Sequence, residues 1–154
     1  MSTCVVPHAQ SSMADRPKMK GIRVLLADDH FLVRQGLRKY LSHHLDLELV
    51  GEASDGEEAV KLTDLLKPDV VVMDINMPRM NGIEATSSIV RKHPHLPVIG
   101  LSFYLGNGNR EAFLKAGACL LLEKGEAFQH LPQAIYQAFD KSIDAGSSGN
   151  CPLA

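Results

Sequence analysis

A doubly wound α/β domain, with a five-stranded parallel sheet of the (βα)5 type, is the fold this sequence predicts. Three observations carry the prediction: five short apolar runs, helical spacing in the segments between them, and connections short enough to force strict alternation. The first run is IRVLLA (22–27), after which Val33, Leu37, Tyr40 and Leu41 share one helical face. The second is LELVGEA (47–53). Ser54 and Glu57 follow it at the S-x-x-E spacing of a capping box, predicting the start of a second helix whose face carries Ala59, Thr63 and Leu66. The third run, VVVM (70–73), is apolar at every position, as a strand covered on both faces should be. A third helix is expected after Gly82, a fourth strand in PVIGLS (97–102), a fourth helix over about 109–116 and a fifth strand in ACLLL (118–122). The last helix carries a local conflict. Inside a helix Pro132 removes a donor at a cost of ~3 kcal/mol, but it is favoured at the first helical position, which predicts a start near Leu131.

The chain has 154 residues, enough for one domain with a real core and too few for two of ordinary size. A formal net charge of -2 gives no electrostatic reason to expect nucleic-acid binding. No apolar stretch approaches a membrane span, and the first twenty residues lack the apolar run of a secretory signal, so the expected location is the cytoplasm. Cys4, Cys119 and Cys151 are scattered and odd in number, which suits neither a disulfide framework nor a zinc site. Residues 1–20 and 141–154, rich in Ser, Gly, Pro and Ala, read as disordered tails around a domain at 21–140.

In a parallel sheet of this class, ligands bind beyond the carboxyl ends of the strands. Strand one there runs into Asp28 and Asp29, strand three into Asp74, strand four ends in Ser102, and strand five runs into Glu123 and Lys124. Carboxylates gathered this closely repel unless a cation compensates, and oxygen ligands favour a hard one such as Mg²⁺. A carboxylate flanked by that ion, an ammonium and a hydroxyl is arranged to accept a phosphoryl group. Asp74 would be the nucleophile, with Lys124 and Ser102 stabilising the phosphoryl oxygens.

These motifs resemble the receiver domain of two-component response regulators. LLADDH matches that family's acidic pair, VVMDINMPRMNG its phosphoacceptor loop, GLS its hydroxyl position and AGACLLLEKG its lysine segment. The resemblance spans nearly all of 21–140 and implies the flavodoxin-like strand order 2-1-3-4-5. It implies Mg²⁺ bound by Asp28, Asp29, Asp74 and the backbone carbonyl of Asn76, and phosphorylation of Asp74. It further implies a sensor histidine kinase or histidine phosphotransfer domain as donor, and a signal passed through the helix 4 to helix 5 face. Catalysis would be limited to the chain's own phosphoryl transfer and dephosphorylation; a homodimer stays open, and neither membrane nor direct nucleic-acid partners are expected.

Two departures stand out. Family members often carry an aromatic residue three positions before the lysine, where this chain has Leu121, and Phe103 or Tyr104 is the available substitute. The lysine is often followed by proline, and here by Gly125. YLGNGNRE, with two glycines and two asparagines, predicts a mobile loop before the fourth helix.

Other readings compete. A haloacid-dehalogenase-type phosphatase needs a second aspartate two residues after the nucleophile, and Asn76 stands there. A flavodoxin-like electron carrier needs donors in its first loop, where Asp28 and Asp29 would repel a phosphate. A degenerate receiver serving as a phosphorylation-independent interaction module is the main alternative. His43, His44, His93 and His95 fit solvated or capping roles at helix ends, His30 the start of the first helix, and the methionines of NMPRM loop packing.

Overall fold

The sheet is built from β1 (Ile22–Ala27), β2 (Leu47–Ala53), β3 (Val70–Asp74), β4 (Val98–Ser102) and β5 (Leu120–Glu123), in a computed structural model that describes residues 21–106 and 108–148. All pairings are parallel, as the alternating pattern predicts, and the order is β2-β1-β3-β4-β5, as the resemblance implies. Between and after the strands lie α1 (Phe31–Leu41), α2 (Gly56–Leu66), α3 (Gly82–Lys92), α4 (Asn109–Ala116) and α5 (Lys124–Ser148). Cys4 and Cys151, with the rest of 1–20 and 149–154, lie outside the described residues.

The period-two alternation of the strands splits the core into two layers. Val24, Leu26, Val70, Val72, Ile99 and Leu101 face Leu37 and Leu41 of α1 and Leu131 and Ile135 of α5. Their neighbours Leu25, Ala27, Val71, Met73 and Val98 face Ala59 of α2, Ile89 of α3 and Phe113 of α4. The central strand β3 is buried along its whole length, at roughly 1.5–3 kcal/mol for each apolar side chain it hides. That burial leaves Asp74 only 2% exposed, at the edge of the sheet.

Register decides what meets at the carboxyl edge. Ala27 lies beside Met73, Asp74 beside Leu101, and Ser102 beside Glu123, so the residues just past these positions share one rim. Among the described residues no helix is long and apolar enough to cross a membrane.

Three expectations need correction. First, α5 starts at Lys124, with Pro132 buried inside it rather than opening it. Without a proline at 125, Lys124 is free to take helical angles. The burial of Ala127, Leu131, Ala134, Ile135 and Ala138 then offsets the one bond that Pro132 cannot make. Second, the helix continues through 141–148, where a tail was expected, and Ser142 points its hydroxyl back to the carbonyl of Phe139 at 2.7 Å. Third, the cap of α2 is Asp55, not Ser54: its carboxylate accepts from Glu58 N at 2.8 Å, while Glu58 reaches back to Ser54 N at 2.9 Å. The box is thus shifted by one residue, because Glu57 and Glu58 both offer a carboxylate and only Glu58 faces the turn.

Candidate functional site

Asp28, Asp29 and Asp74 do converge on the rim, and Lys124 reaches them from the other side. Asp28 is completely buried, its backbone N–H tied to the carbonyl of Ala53 at 3.0 Å and its carbonyl accepting from Arg34 at 2.6 Å. The Lys124 ammonium, itself buried, lies 2.7 Å from Asp28 Oδ2 and 3.1 Å from Asp74 Oδ1. Asp74 Oδ2 is buried and has no hydrogen-bond partner among the described residues. Burial, reinforced by the neighbouring Asp28 charge, pushes the Asp74 carboxyl up to about 6, although Lys124 pulls the other way.

One ammonium against three carboxylates leaves the cluster negative. Ligand atoms of Asp28, Asp29, His30 and Asp74 all lie within 4.8 Å of one another, in the one such grouping among the described residues. An unpartnered, buried carboxylate oxygen inside an oxygen-rich acidic rim is the donor set that suits a hard divalent cation. These residues therefore fit Mg²⁺.

His30 is the member that sequence reasoning underrates. It is the N-cap of α1, and the turn that starts this helix aims Nδ1 at Asp28 Oδ1 (3.1 Å) and Asp29 Oδ1 (3.0 Å). Its ring meets Phe103 edge-on at 5.8 Å, and Phe103 in turn lies 4.6 Å from the Lys124 ammonium. Adjacency to the acidic pair was the only sequence signal for His30. Phe103, 61% exposed, covers the ammonium from outside, and Tyr104 beside it is 70% exposed.

The structure places Ser102 at the rim, fully buried, but gives its hydroxyl another partner. Oγ donates to the carbonyl of Tyr104 at 2.8 Å and accepts from the N–H of Tyr104 at 3.0 Å, closing a tight turn. Leu121 sits elsewhere, in the layer under α4, where it and Phe113 close over Gly100.

The loop after β3 is tightly fixed. Gly82 N–H binds the carbonyl of Ile75 at 2.8 Å, and any side chain at 82 would strike the carbonyl of Asp74. Asn81 caps α3 through Glu84 N at 2.9 Å. Asn76 is exposed between these anchors, Met77 is buried in the core, and Met80 packs on its edge, as loop packing requires. Arg79 donates through Nε (2.9 Å) and Nη2 (2.8 Å) to Asp55 Oδ2, a pairing across 24 residues that no local spacing announces. The backbone cap and Arg79 hold the Asp55 carboxyl below the usual range.

Among the described residues no other histidine joins this acidic grouping; His93 pairs with Asp64 at 2.8 Å on the neighbouring helix. Cys119 is partly buried and joins no disulfide among the described residues.

Comparison with known proteins adds to this geometry. The family model of the response regulator receiver domain matches residues 24–136. The response regulator GacA of Pseudomonas viridiflava is 41% identical over 118 residues, 77% of this chain and 55% of that protein. The transcriptional regulatory protein LiaR of Bacillus subtilis (strain 168) is 42% identical over 117 residues, 76% of this chain and 56% of that protein. The chain thus spans about half the length of the curated relatives it matches. Among solved structures, the response regulator domain of Thermotoga maritima CheB aligns with a TM-score of 0.73 at 35% identity, covering 79% of this chain and 98% of that one. The signal receiver domain of NarL from Mycobacterium tuberculosis gives 0.74 at 30% identity, with the same coverage of 79% and 98%.

Proposed function

The chain belongs to the response regulator receiver domain family, and on that premise we propose that it accepts a phosphoryl group on Asp74 from a histidine kinase or histidine phosphotransfer domain in the cytoplasm. The observation that carries this reading is Asp74 itself: a buried carboxylate with one oxygen on Lys124 and the other unpartnered. In the transfer, a carboxylate oxygen attacks phosphorus and the O–P bond forms as the donor's P–N bond breaks. The electron pair stays on the donor imidazole. Hydrolysis reverses the gain, with water taking the phosphoryl group as inorganic phosphate and the carboxylate restored.

Asp28, Asp29, Asp74 and the Asn76 carbonyl would hold Mg²⁺, which when bound offsets carboxylate charge and stabilises phosphoryl oxygens. Lys124 supplies a fixed positive charge on the opposite side, and its burial makes that charge count for more than it would in water. The Phe103 ring shields the ammonium from bulk solvent. Ser102 would exchange Tyr104 for a phosphoryl oxygen, freeing the loop that leads into α4 and altering partner preference at the α4–α5 face. The phosphorylated conformer must bind phosphate better for that shift to occur.

Incubation of the whole chain with acetyl phosphate and Mg²⁺, followed by intact-mass measurement, tests the reading. A phosphoryl adduct lost in Asp74→Asn is expected. No adduct, or one that survives the substitution, overturns it. A second reading, a receiver that signals without phosphorylation, draws on the position of Leu121: buried under α4, it offers no aromatic side chain to sense the Ser102 hydroxyl. Under that reading, partner binding would be identical before and after adduct formation.

A further inference from the structure

We infer that Arg79 is a positioning residue for the cation site: its pairing with Asp55 fixes the loop that presents the Asn76 carbonyl. This inference rests on the proposed Mg²⁺ site and concerns what shapes it. Arg79 has φ 66, in the left-handed region that side chains other than glycine seldom adopt. Such a residue persists only where its surroundings over-determine it. Here the surroundings are specific. The two oxygens of Asp55 divide their work, Oδ1 capping α2 through Glu58 N and Oδ2 receiving both guanidinium donors. Next to this pair, Gly56 N–H donates to the carbonyl of Met80 at 2.9 Å, so closely that a side chain at 56 would collide with it.

The loop is thereby docked on the N-terminus of α2 by one ion pair and one backbone bond. Upstream, Ile75 N–H is held by the carbonyl of Leu101 at 3.0 Å. Asn76 lies between these two anchors. The Arg79 side chain is 65% exposed and that of Asp55 6%, and a pair whose guanidinium stays open to water contributes modestly to folding stability. Stability alone therefore does not account for an arginine where glycine would relieve the backbone. Geometry does: the pair fixes a main-chain oxygen that no side chain can otherwise steer. Outer residues that orient a metal's ligands commonly govern affinity by tenfold or more.

The test compares Mg²⁺ titrations of the wild-type chain, Arg79→Gly, Asp55→Asn and the double variant, each by calorimetry, beside thermal melts without Mg²⁺. Glycine relaxes the backbone and asparagine keeps the helix cap, so both variants are expected to fold. The expected result is about tenfold weaker Mg²⁺ binding in each single variant, no further loss in the double, and an unchanged or raised melting temperature for Arg79→Gly. Wild-type affinity in Arg79→Gly overturns the inference while leaving the Mg²⁺ site standing. So does a melting temperature that falls in step with affinity. A wild-type chain that binds no Mg²⁺ overturns both this inference and the metal reading beneath it.

Discussion

The two sides of the rim are built differently. On the acidic side, the loop after β3 is locked by Gly82 on Ile75, Gly56 on Met80 and Arg79 on Asp55, with no room for a side chain at either glycine. On the hydroxyl side, the hydrogen bonds of the loop after β4 among the described residues include those of the Ser102 hydroxyl with Tyr104, a long 3.3 Å bond from the Asn109 side chain to the Tyr104 carbonyl and one of 3.2 Å from Asn109 N–H to the Gly106 carbonyl, and its aromatic residues face solvent. The difference teaches which half can move. A rigid acidic half keeps ligands in place, and a loosely held half has bonds that a new oxygen could compete for. Lys124, at the end of β5, joins the halves, since its ammonium touches Asp28 and Asp74 on the acidic side and lies 4.6 Å from the Phe103 ring on the other.

Removing that tie should have the largest effect. Lys124→Ala leaves a buried carboxylate cluster without its ammonium, and a loss of about 3–5 kcal/mol is expected from urea unfolding without Mg²⁺. Added Mg²⁺ should restore part of it. A variant as stable as wild type would mean that Lys124 does not bridge the two sides.

Next come the paired glycine substitutions, which probe the contrast itself. Gly82→Ala forces a carbon into the Asp74 carbonyl and should cost about 2–4 kcal/mol. Gly106→Ala meets only the Tyr104 ring at 3.7 Å and should be neutral, or stabilising by up to about 1 kcal/mol. Similar losses at both positions, read from denaturation midpoints, would erase the distinction between the loops.

The smaller effect concerns Asp74 and pH. Its carboxyl is raised from the usual 3.8 to about 6, so between those values the folded protein holds a proton that the unfolded chain has released. Stability should therefore fall as pH rises from about 4 to 6 and level off above, by on the order of 2 kcal/mol. Asp74→Asn should remove that slope and leave the protein more stable at pH 7 in the absence of Mg²⁺. Superimposable pH profiles for wild type and variant would show that the acidic half carries no such strain.

Most of the architecture was legible because it rests on local pattern. Val70–Met73 can only be an interior strand, and the same reasoning that buries them delivers Asp74 to the edge. Asp28, Asp29 and Lys124 follow, since parallel strands share an edge. What escaped had two causes. Arg79 finds Asp55 across 24 residues, which no local spacing announces, whereas the Ser102 hydroxyl is taken by Tyr104 only two residues on, through a turn conformation that residue types alone do not dictate. The start of α5 was misread because Pro132 was weighed alone, whereas the buried face from Ala127 to Ala138 outweighs one missing bond.

That helix has one more property. Lys124 is both the residue that grips Asp74 and the first residue of α5, with no linker between. Over 25 residues the helix runs about 37 Å, so a tilt of about 5° at the lysine displaces the far end by about 3 Å. The ammonium is the short arm of a lever whose fulcrum is the core and whose long arm ends well away from the chemistry.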